Sequence, residues 1–552
     1  MRYDRRTFLK KALAAASVTG ASSMGFLRPD IPVRSASYED PGITTDEERK
    51  KLLFEAHFGR KNPAASRKGM VICSHPLATR EAVKVLKRGG NACDAALCAA
   101  ITQTVIEPHM TGITGIFTML YYDSASGKVT CVDAGWKAPQ TPLSKGSPAD
   151  VRSGRANSVP GWWAGFEEAH TKHASKPIKE LMDPAIRYAR EGFELFPFLW
   201  GEVFAQSHRI GMTQQGREIF MPQNVLPRPW DMLYQKKSAD TLERLAAEGG
   251  DFFYRGAFAQ EHCKAVQEAG STLSRADFES YQASWLEPQQ GTYKGYAIAS
   301  GGPFFINALS KLEQLDLERL GPPTESSESL YAMLRISNGL GLTKNKERES
   351  QKPVYGYGHP HEYDGPIPGS CHITVVDGMG NIAGLLHTSN AFPWTNGLFA
   401  NGVTICSGGG YLAITKPKPG QKPSAAFSIA AIPNIIFKNK KSVLAIGSPS
   451  VSLFANLVQN TVNILDFGIP IEESVNRPRF GGFSYDQRGS FYIEADLDIN
   501  VRKGAEEKGL KFDVVNPWNW HHGSFEGISI EPDSGLMRAC SDPRRCSKAE
   551  GI

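Results

Sequence analysis

Apolar and β-branched residues alternate with small and polar ones most clearly between Cys371 and Thr388, in the stretch CHITVVDGMGNIAGLLHT. The first half, Cys371–Asp377, is rich in β-branched residues, which is typical of a strand that enters a packed core. The Gly378–Asn381 segment has the composition of a turn, and Ile382–Thr388 is a second apolar run. The pattern therefore predicts a β-hairpin with Ser370 at its open end.

Strands and helices are predicted to alternate along much of the remaining chain. The predicted strands are Gly69–Pro76, Phe117–Asp123 and Lys128–Ala134, and the predicted helices are Thr79–Lys87, Ala92–Val105 after an Asn91 cap, Asp183–Gly192 with a proline in its first turn, and Ser452–Leu465. Residues 200–290 are predicted to form a largely helical, charged scaffold. This alternation is compatible with an α/β protein.

The length and hydrophobic content of the chain permit a large core, and its charge pattern argues against a nucleic-acid partner. The chain has 552 residues, of which 41% are hydrophobic, so a large α/β unit can be buried. Its net charge is +5, from 62 basic and 57 acidic residues, and it has no basic block with interleaved aromatic residues. We therefore expect no nucleic-acid partner.

Residues 1–37 have the pattern of an export signal. The twin Arg5-Arg6 pair precedes Thr-Phe-Leu-Lys, and the weakly apolar Ala12–Leu27 run leads to small residues at Ser35–Ser37. That run is shorter than the ~20 apolar residues that a membrane span needs. We predict export through the twin-arginine route to the periplasm, without a stable membrane anchor. A short anchor and a basic amphipathic start are the alternatives.

The cysteines and histidines do not indicate a metal or cofactor. Nine cysteines form no pair of CxxC units, and their odd number leaves at least one free thiol. Because twin-arginine substrates fold in the reducing cytoplasm, most cysteines are expected to be small buried residues, although Cys540 and Cys546 could pair later. Four histidines lack ligand spacing and are predicted to lie on the surface: His359, His361, His521 and His522.

The segment before the hairpin has the composition of an exposed loop. Residues Lys344–Gly369 are polar and rich in proline and glycine, and they end at a Gly-Ser bond that opens the predicted strand. A precursor could cleave itself there, so that the new α-amine of Ser370 takes the proton while its hydroxyl attacks a carbonyl. An ordinary loop-to-strand junction is the alternative. Cys371 is a competing nucleophile, but alternation points it to the opposite face from Ser370 and His372.

Together with its surroundings, Ser370–Asp377 resembles the segment of the γ-glutamyltransferase family that is cleaved before a nucleophilic threonine, commonly T-T-H-x-S-V-V-D. Ser370 stands seven residues before the aspartate, as the family threonine does, and serine keeps the hydroxyl. Four further landmarks follow the family order between about residues 69 and 546: Gly89–Ala96, Ser158–Phe166, Gly447–Ser452 and Ser541–Arg545.

The resemblance implies a four-layer αββα sandwich of the N-terminal nucleophile hydrolase type, made as one precursor. Cleavage would give a large subunit, 38–369, and a small subunit, 370–552, within one structural unit. By position, Ser370 would be the nucleophile and Thr388 its supporting hydroxyl. The backbone N–H groups of Ser450 and Val451 would stabilise the oxyanion. Asn390 would hold the substrate's amine, although local hydrogen bonding would also explain it and Thr388.

The positions that bind the family's glutamyl donor have changed. Gly135 replaces the arginine that grips the donor α-carboxylate, Gly408–Tyr411 replaces the segment that binds its ammonium, and Ala425 and Ala426 replace two serines. A buried charge without a partner costs several kcal/mol, so a free glutamyl group is disfavoured. The aromatic residues of this region suggest a more apolar pocket: Trp136, Phe392, Trp394 and Tyr411.

Three functions are consistent with these residues. The first is an exported hydrolase or acyltransferase that acts on a non-glutamyl small-molecule amide or peptide. The second is a genuine γ-glutamyl hydrolase or transferase with a rebuilt substrate clamp. The third, from another class, is an inactive binding protein of the cell envelope. The hydroxyl of Ser370 favours the two enzymes, because a binding protein has no need of it.

Overall fold

The structure is a computed structural model that describes residues 43–141, 143, 146–339, 369–390, 394–414, 426–427, 429–430, 432–449, 452–483 and 489–552. The strands are β1 (Ala64–Ser66), β2 (Gly69–Cys73), β3 (Ile116–Asp123), β4 (Lys128–Ala134), β5 (Trp136–Lys137), β6 (Phe193–Glu194), β7 (Met232–Leu233), β8 (Ser284–Leu286), β9 (Gln289–Tyr293), β10 (Tyr296–Ser300), β11 (Cys371–Asp377), β12 (Ile382–Thr388), β13 (Phe399–Ala400), β14 (Val403–Thr404), β15 (Ala426–Phe427), β16 (Asn434–Lys438), β17 (Lys441–Ile446), β18 (Phe480–Phe483), β19 (Phe491–Glu494), β20 (Phe512–Val515), β21 (Ile528–Ile530), β22 (Met537–Ala539) and β23 (Lys548–Gly551).

The α-helices are distributed between and around these strands. They are α1 (Asp46–Glu55), α2 (Pro76–Lys87), α3 (Ala92–Ile106), α4 (Pro148–Ser153), α5 (Trp162–His173), α6 (Ile178–Glu191), α7 (Pro197–Ala205), α8 (Ser207–Ile210), α9 (Gln214–Phe220), α10 (Lys236–Gly250), α11 (Ala257–Glu268), α12 (Arg275–Glu279), α13 (Pro303–Leu312), α14 (Leu317–Leu320), α15 (Ser327–Ser337), α16 (Gly410–Ile414), α17 (Leu453–Leu465), α18 (Ile471–Ser474) and α19 (Ile499–Glu507). No helix among the described residues is both long and apolar enough to cross a membrane.

Two seven-stranded antiparallel sheets form the centre of the described structure. The hairpin sheet has the strand order β23-β2-β11-β12-β3-β4-β8, and the second sheet has the order β1-β22-β21-β17-β16-β10-β9. Each sheet contains strands from both sides of residue 369, so neither of the two predicted subunit ranges holds a complete sheet. The boundaries at residues 37 and 369 stay predictions.

Three buried clusters separate four layers. Between the sheets, residues such as Ile72 and Val376 pack against Ile435 and Ile528. On the outer face of the hairpin sheet, apolar residues of that sheet pack against α2, α3, α5 and α6. On the outer face of the second sheet, apolar residues pack against α13, α15 and α17. This is the four-layer αββα sandwich that the family resemblance implies.

The predicted hairpin is confirmed with its bounds. Strands β11 and β12 cover the two predicted runs, and β4 also matches its prediction. Asn91 caps α3 through a reciprocal capping box with Asp94, as the local sequence indicates. The predicted start of α6 was wrong, because the helix begins at Ile178 and Pro184 lies inside it.

Candidate active site

Ser370 lies immediately before β11, at the open end of the β11–β12 hairpin. The ladder pairs Cys371 with His387, so the next position places Ser370 opposite Thr388. The hydroxyl of Ser370 donates a 2.7 Å hydrogen bond to Oγ1 of Thr388. Ser370 is 8% exposed and Thr388 is 1% exposed. The two hydroxyls therefore meet in a nearly dry setting, where a hydrogen bond is stronger than in water.

Thr388 contacts both residues of the Gly369–Ser370 peptide bond. Its hydroxyl accepts from Ser370, donates to the carbonyl oxygen of Gly369 and accepts a 2.7 Å bond from the backbone N–H of Asn390. One donor and two acceptor positions are the full capacity of a hydroxyl. Thr388 thus orients the Ser370 hydroxyl beside the carbonyl that it would attack.

Gly369 is required by the lack of space around it. A Cβ at this position would lie 2.6 Å from Sδ of Met110 and 2.8 Å from the carbonyl oxygen of His109. Both separations are well inside van der Waals contact, and the second atom belongs to the backbone. A larger residue before Ser370 would therefore displace the peptide bond.

Cys371 points away from Ser370, as strand alternation predicts. It is fully buried, and Ile373 and Val375, which share its face of the strand, belong to the cluster on the helix side of the hairpin sheet. Its thiol donates a 3.5 Å hydrogen bond to Oε2 of Glu107, and burial raises the pKa of the thiol well above its ordinary value. A buried thiol of this kind is a poor nucleophile.

A hydrogen-bonded chain on the helix side supports the hairpin. Trp162 Nε1 donates a 3.1 Å bond to Nδ1 of His387, so Nε2 carries the imidazole proton and donates a 2.9 Å bond to Oε1 of Gln103. The amide of Gln103 donates in turn to Glu107, at 2.8 Å. Burial lowers the pKa of His387 to about 3, so its ring is neutral. This chain fixes the strand that carries Thr388.

Gly135 lies in the same row of the hairpin sheet as Ser370. The strand registers, extended by one residue where a strand ends, align Ser370, Thr388, Ile116 and Gly135 across four neighbouring strands. Three strand spacings separate the ends of this row by roughly 14 Å. A long side chain at position 135 could span much of that distance, but glycine presents only its backbone. Its carbonyl accepts a 2.6 Å bond from the Tyr281 hydroxyl.

Trp136 fills the space beside this row. Its indole N–H donates a 3.2 Å bond to the carbonyl of Thr114, and the residue is 1% exposed. A Cβ on Gly408 or Gly409 would lie 2.7 Å or 2.6 Å from the indole ring. Gly408 would also approach the carbonyl oxygens of Ser389 and Asn390. The two glycines are thus packed against an aromatic surface next to Asn390, whose φ is 41°.

The remaining predicted binding residues are described in part. Tyr411 lies in α16, and its side chain is outside the described part of the structure. Ala426 lies in β15, whose backbone pairs with Lys137 of β5, so this position is brought beside Gly135 and Trp136. Four predicted residues fall outside the described residues altogether: Phe392, Ala425, Ser450 and Val451.

The turn that leads to positions 450 and 451 is described as far as Pro449. The backbone N–H of Glu526 donates a 3.0 Å bond to the carbonyl of Gly447, and the Asn456 amide donates a 3.1 Å bond to the Ser448 hydroxyl. The ring of His372 lies directly against Gly447. These contacts hold the start of the turn beside the strand of Ser370.

Several residues near the site were not predicted from the sequence. His372 and Arg545 belong to family landmarks, but the sequence assigns no role in the site to either residue. Met110 contacts Gly369 from a distant part of the chain, and no local signal indicates it. The surface prediction for His522 was wrong, because it is fully buried. His359 and His361 lie outside the described residues, as does the side chain of His521.

The fold and the serine at the start of a central strand define the class of N-terminal nucleophile hydrolases. The gamma-glutamyltranspeptidase family model matches residues 78–340 and 341–552, so the chain belongs to that family. It is an amidohydrolase or acyltransferase of this family, and its relatives are proenzymes.

Two relatives illustrate the range of the family. The chain is 27% identical to glutathione hydrolase proenzyme from Bacillus subtilis (strain 168), across 88% of this chain and 91% of that protein. It is 26% identical to acylase ACY 1 proenzyme from Pseudomonas sp. (strain SE83), across 89% and 94%. Cephalosporin acylase from Bacillus halodurans has the same fold, with a TM-score of 0.73 and 20% identity, across 90% of this chain and 98% of that one.

Proposed function

We propose that this chain is an exported precursor that cleaves itself between Gly369 and Ser370 and then hydrolyses a non-glutamyl amide. The observation that carries the proposal is the contact of Thr388 with both the Ser370 hydroxyl and the Gly369 carbonyl. An attacking hydroxyl and its target carbonyl that share one hydrogen-bond partner are close to a reactive arrangement.

In the cleavage step, Oγ of Ser370 attacks the carbonyl carbon of Gly369. The C–N bond breaks, the proton of the hydroxyl ends on the nitrogen, and an ester forms between the two residues. One water molecule then hydrolyses the ester, which leaves a carboxylate on Gly369 and a free α-amine and hydroxyl on Ser370. Backbone N–H groups of Ser450 and Val451, in the turn after Gly447, are the proposed oxyanion donors.

In the catalytic step, the same hydroxyl attacks the substrate amide. The α-amine of Ser370, with an ordinary pKa of about 8, accepts the proton and passes it to the leaving amine. Water releases the acyl group from the ester and regenerates the serine. Thr388 holds the hydroxyl throughout, and Asn390 is the proposed contact for a polar group of the acyl portion.

A non-glutamyl substrate follows from the absence of charge where the family's clamp lies. Gly135, Tyr411, Ala425 and Ala426 supply no cationic or anionic side chain, and Trp136 contributes an aromatic surface beside Asn390. Binding a free α-ammonium and α-carboxylate there would leave both charges without an oppositely charged side chain at these positions. An acyl group with an apolar or aryl body suits these residues better.

The genuine γ-glutamyl enzyme is the second candidate, because relatives of similar identity are glutathione hydrolase proenzymes. It would require charged residues from other parts of the chain to replace the clamp. A panel of γ-glutamyl, aliphatic acyl and phenylacetyl p-nitroanilides distinguishes the two enzymes. Higher kcat/KM for the γ-glutamyl compound than for the others would refute the non-glutamyl assignment.

Cleavage itself is tested by the intact mass of the purified mature chain. We expect the wild type and Cys371→Ala to split into two subunits, with the small subunit starting at Ser370, while Ser370→Ala stays whole. If the wild type remains a single chain and hydrolyses no amide of the panel, the envelope binding protein becomes the better assignment.

Export through the twin-arginine route is a separate part of the proposal. It rests on Arg5, Arg6 and the short apolar run that follows. Residues 1–37 fused to a folded fluorescent reporter should carry it to the periplasm, and the paired change of Arg5 and Arg6 to lysine should retain it in the cytoplasm. Retention of the unchanged fusion would refute this route.

A further inference from the structure

Arg545 is a buried cation that contacts no anion in the part of the chain that the structure describes. The residue is 2% exposed, and its Nη1 donates a 3.3 Å bond to the thioether sulfur of Met110. Its Nε and Nη2 have no hydrogen-bond partner among the described residues. Within the described residues, no carboxylate forms an ion pair with it. The adjacent Arg544 differs, because it pairs with both Glu494 and Asp542. Its guanidinium carbon also lies 5.7 Å from the centre of the Trp520 ring. Buried guanidinium groups are normally paired, so among the described residues Arg545 has the chemistry to accept an anion.

Two of the three acids around Arg545 accept hydrogen bonds from other groups. Three buried carboxyl groups feel its charge: Glu107, Glu202 and Glu526. Glu107 accepts from Gln103 and Cys371, and Glu526 accepts from Ser524. Burial raises the pKa of Glu107 and Glu202 to about 7 and that of Glu526 to about 8, so much of their population is uncharged near neutral pH.

Met110 connects this cation to the proposed cleavage point. Its sulfur contacts Nη1 of Arg545, and the same sulfur would lie 2.6 Å from a Cβ on Gly369. One thioether group therefore separates the guanidinium from the residue before the bond to be cut. Hydrolysis of that bond consumes one water and creates a carboxylate on Gly369 and an amine on Ser370, so an anion appears beside an unpaired cation.

We propose that Arg545 binds the α-carboxylate that cleavage creates on Gly369. This inference rests on the proposed cleavage between Gly369 and Ser370. Nε and Nη2 form one edge of the guanidinium, which can hold both oxygens of a carboxylate. Binding there moves the new carboxylate away from the Ser370 hydroxyl, opposes re-formation of the ester and leaves the nucleophile open to substrate.

The test uses the fact that cleavage gives one glycine a free carboxylate. In protein of this sequence labelled with [1-¹³C]glycine, every other glycine is followed by a residue, so its carbonyl is in a peptide bond. The Gly369 carboxylate should give a separate ¹³C resonance. A free α-carboxyl group has a pKa of about 3.5, so about a quarter of its titration shift is present at pH 4. A carboxylate held by Arg545 should show almost none of that shift.

Three variants isolate the role of the guanidinium. Arg545→Met should restore the shift of a free carboxylate between pH 6 and pH 4, Arg545→Lys should be intermediate, and the exposed Arg228→Met should match the wild type. All four proteins keep the Ser370 amine, His109, Cys371 and the three carboxyl groups. Loss of the guanidinium in Arg545→Met raises the pKa of Glu107, Glu202 and Glu526, because its charge lowers them. Arg545→Lys keeps a cation at this position and therefore separates the loss of charge from the loss of the guanidinium contact. A crystal structure of the processed wild type should place the Gly369 carboxylate within about 3.2 Å of the guanidinium.

The possible outcomes separate the inference from the proposed function. If the wild-type resonance titrates as in Arg545→Met, the inference is refuted while cleavage stands. If no glycine carboxylate resonance appears in the wild type, cleavage at Gly369 is refuted and the inference fails with it. If the methionine variant is not cleaved or does not fold, the wild-type titration and its crystal structure decide alone.

Discussion

The imidazole ring of His372 occupies the space that a side chain on Gly447 would need. A Cβ built on Gly447 would lie 1.7 Å from Nε2 of His372. His372 is fully buried two residues after Ser370, and Gly447 follows β17 in the second sheet. The contact therefore joins the strand of the proposed nucleophile to the turn of the proposed oxyanion donors, across the two sheets.

Gly447→Ala should disrupt the packing contact between His372 and Gly447. Because the added methyl group overlaps the ring, either the turn or the strand must move, and we expect a loss of stability of about 1–3 kcal/mol or more. Self-cleavage should slow at the same time. Thermal unfolding and the cleaved fraction by mass spectrometry measure both effects.

Gly201→Ala is the matched control for that change. Gly201 lies inside α7, and apart from its chain neighbours and the backbone of its own helix, no described heavy atom lies within 4 Å of its hypothetical Cβ. Alanine is a better helix former than glycine, so this variant should be as stable as the wild type or slightly more so. Equal behaviour of the two alanine variants would show that the contact with His372 is unimportant.

Removal of the Thr388 hydroxyl should slow cleavage before it alters the fold. Thr388→Val keeps the shape but leaves the Ser370 hydroxyl, the Gly369 carbonyl and the Asn390 N–H without their shared partner. A lost buried hydrogen bond of about 1–3 kcal/mol corresponds to a roughly 5- to 150-fold slower step. The rate is measured by following the intact precursor over time after synthesis in vitro.

Thr388→Ser keeps the hydroxyl and should cleave at close to the wild-type rate. It separates the role of the oxygen from that of the methyl group. Should valine cleave as quickly as serine, Thr388 has no part in orienting Ser370.

Burial of Glu526 should make the protein less stable as pH rises. Burial raises the pKa of this carboxyl group from an ordinary 4.5 to about 8, and its Oε2 has no hydrogen-bond partner. Between pH 4.5 and pH 8 the folded chain therefore binds more protons than the unfolded chain, so the free energy of unfolding falls with pH. One such group contributes up to about 1.4 kcal/mol per pH unit.

Glu526→Gln should flatten that dependence, because the amide cannot ionise and still accepts from Ser524. Unfolding temperatures between pH 5 and pH 8, measured in the Ser370→Ala background to exclude cleavage, give the two slopes. Glu107 and Glu202 act in the same direction and leave a residual slope. Identical slopes with and without Glu526 would contradict the raised pKa.

Arg544 should be essential for stability. Its guanidinium donates to Glu494 and Asp542 inside the protein, where all three side chains are fully buried. Lysine keeps the charge but cannot make the paired contacts, so Arg544→Lys should cost roughly 3 kcal/mol or more in unfolding free energy. Denaturant unfolding provides the measurement.

Arg244→Lys is the corresponding surface control. Arg244 pairs with Glu248 where both side chains are about half exposed, and such pairs contribute little because water screens them. We expect no measurable change in stability. A similar loss in both variants would mean that burial does not explain the effect at Arg544.

Local sequence was sufficient for the hairpin and failed for α6. The β11–β12 pattern of alternation, turn and β-branching arises within one short segment, so no distant residue is needed to specify it. For α6, Pro184 predicts a helix start, because proline favours the first turn. The structure instead continues the helix through it from Ile178, since the buried face formed by Leu181, Met182 and Ala185 packs against the core.

By itself, the sequence determined the hairpin, the capped helix after Asn91 and the order of family landmarks, because each depends on residues that are neighbours in the chain. Only the tertiary structure decided that Gly135 shares a row with Ser370 and that Met110 separates Gly369 from Arg545. It also decided that the ring of His372 packs against Gly447. These contacts join segments up to hundreds of residues apart, so they depend on sheet register and layer packing, for which the chain carries no local pattern.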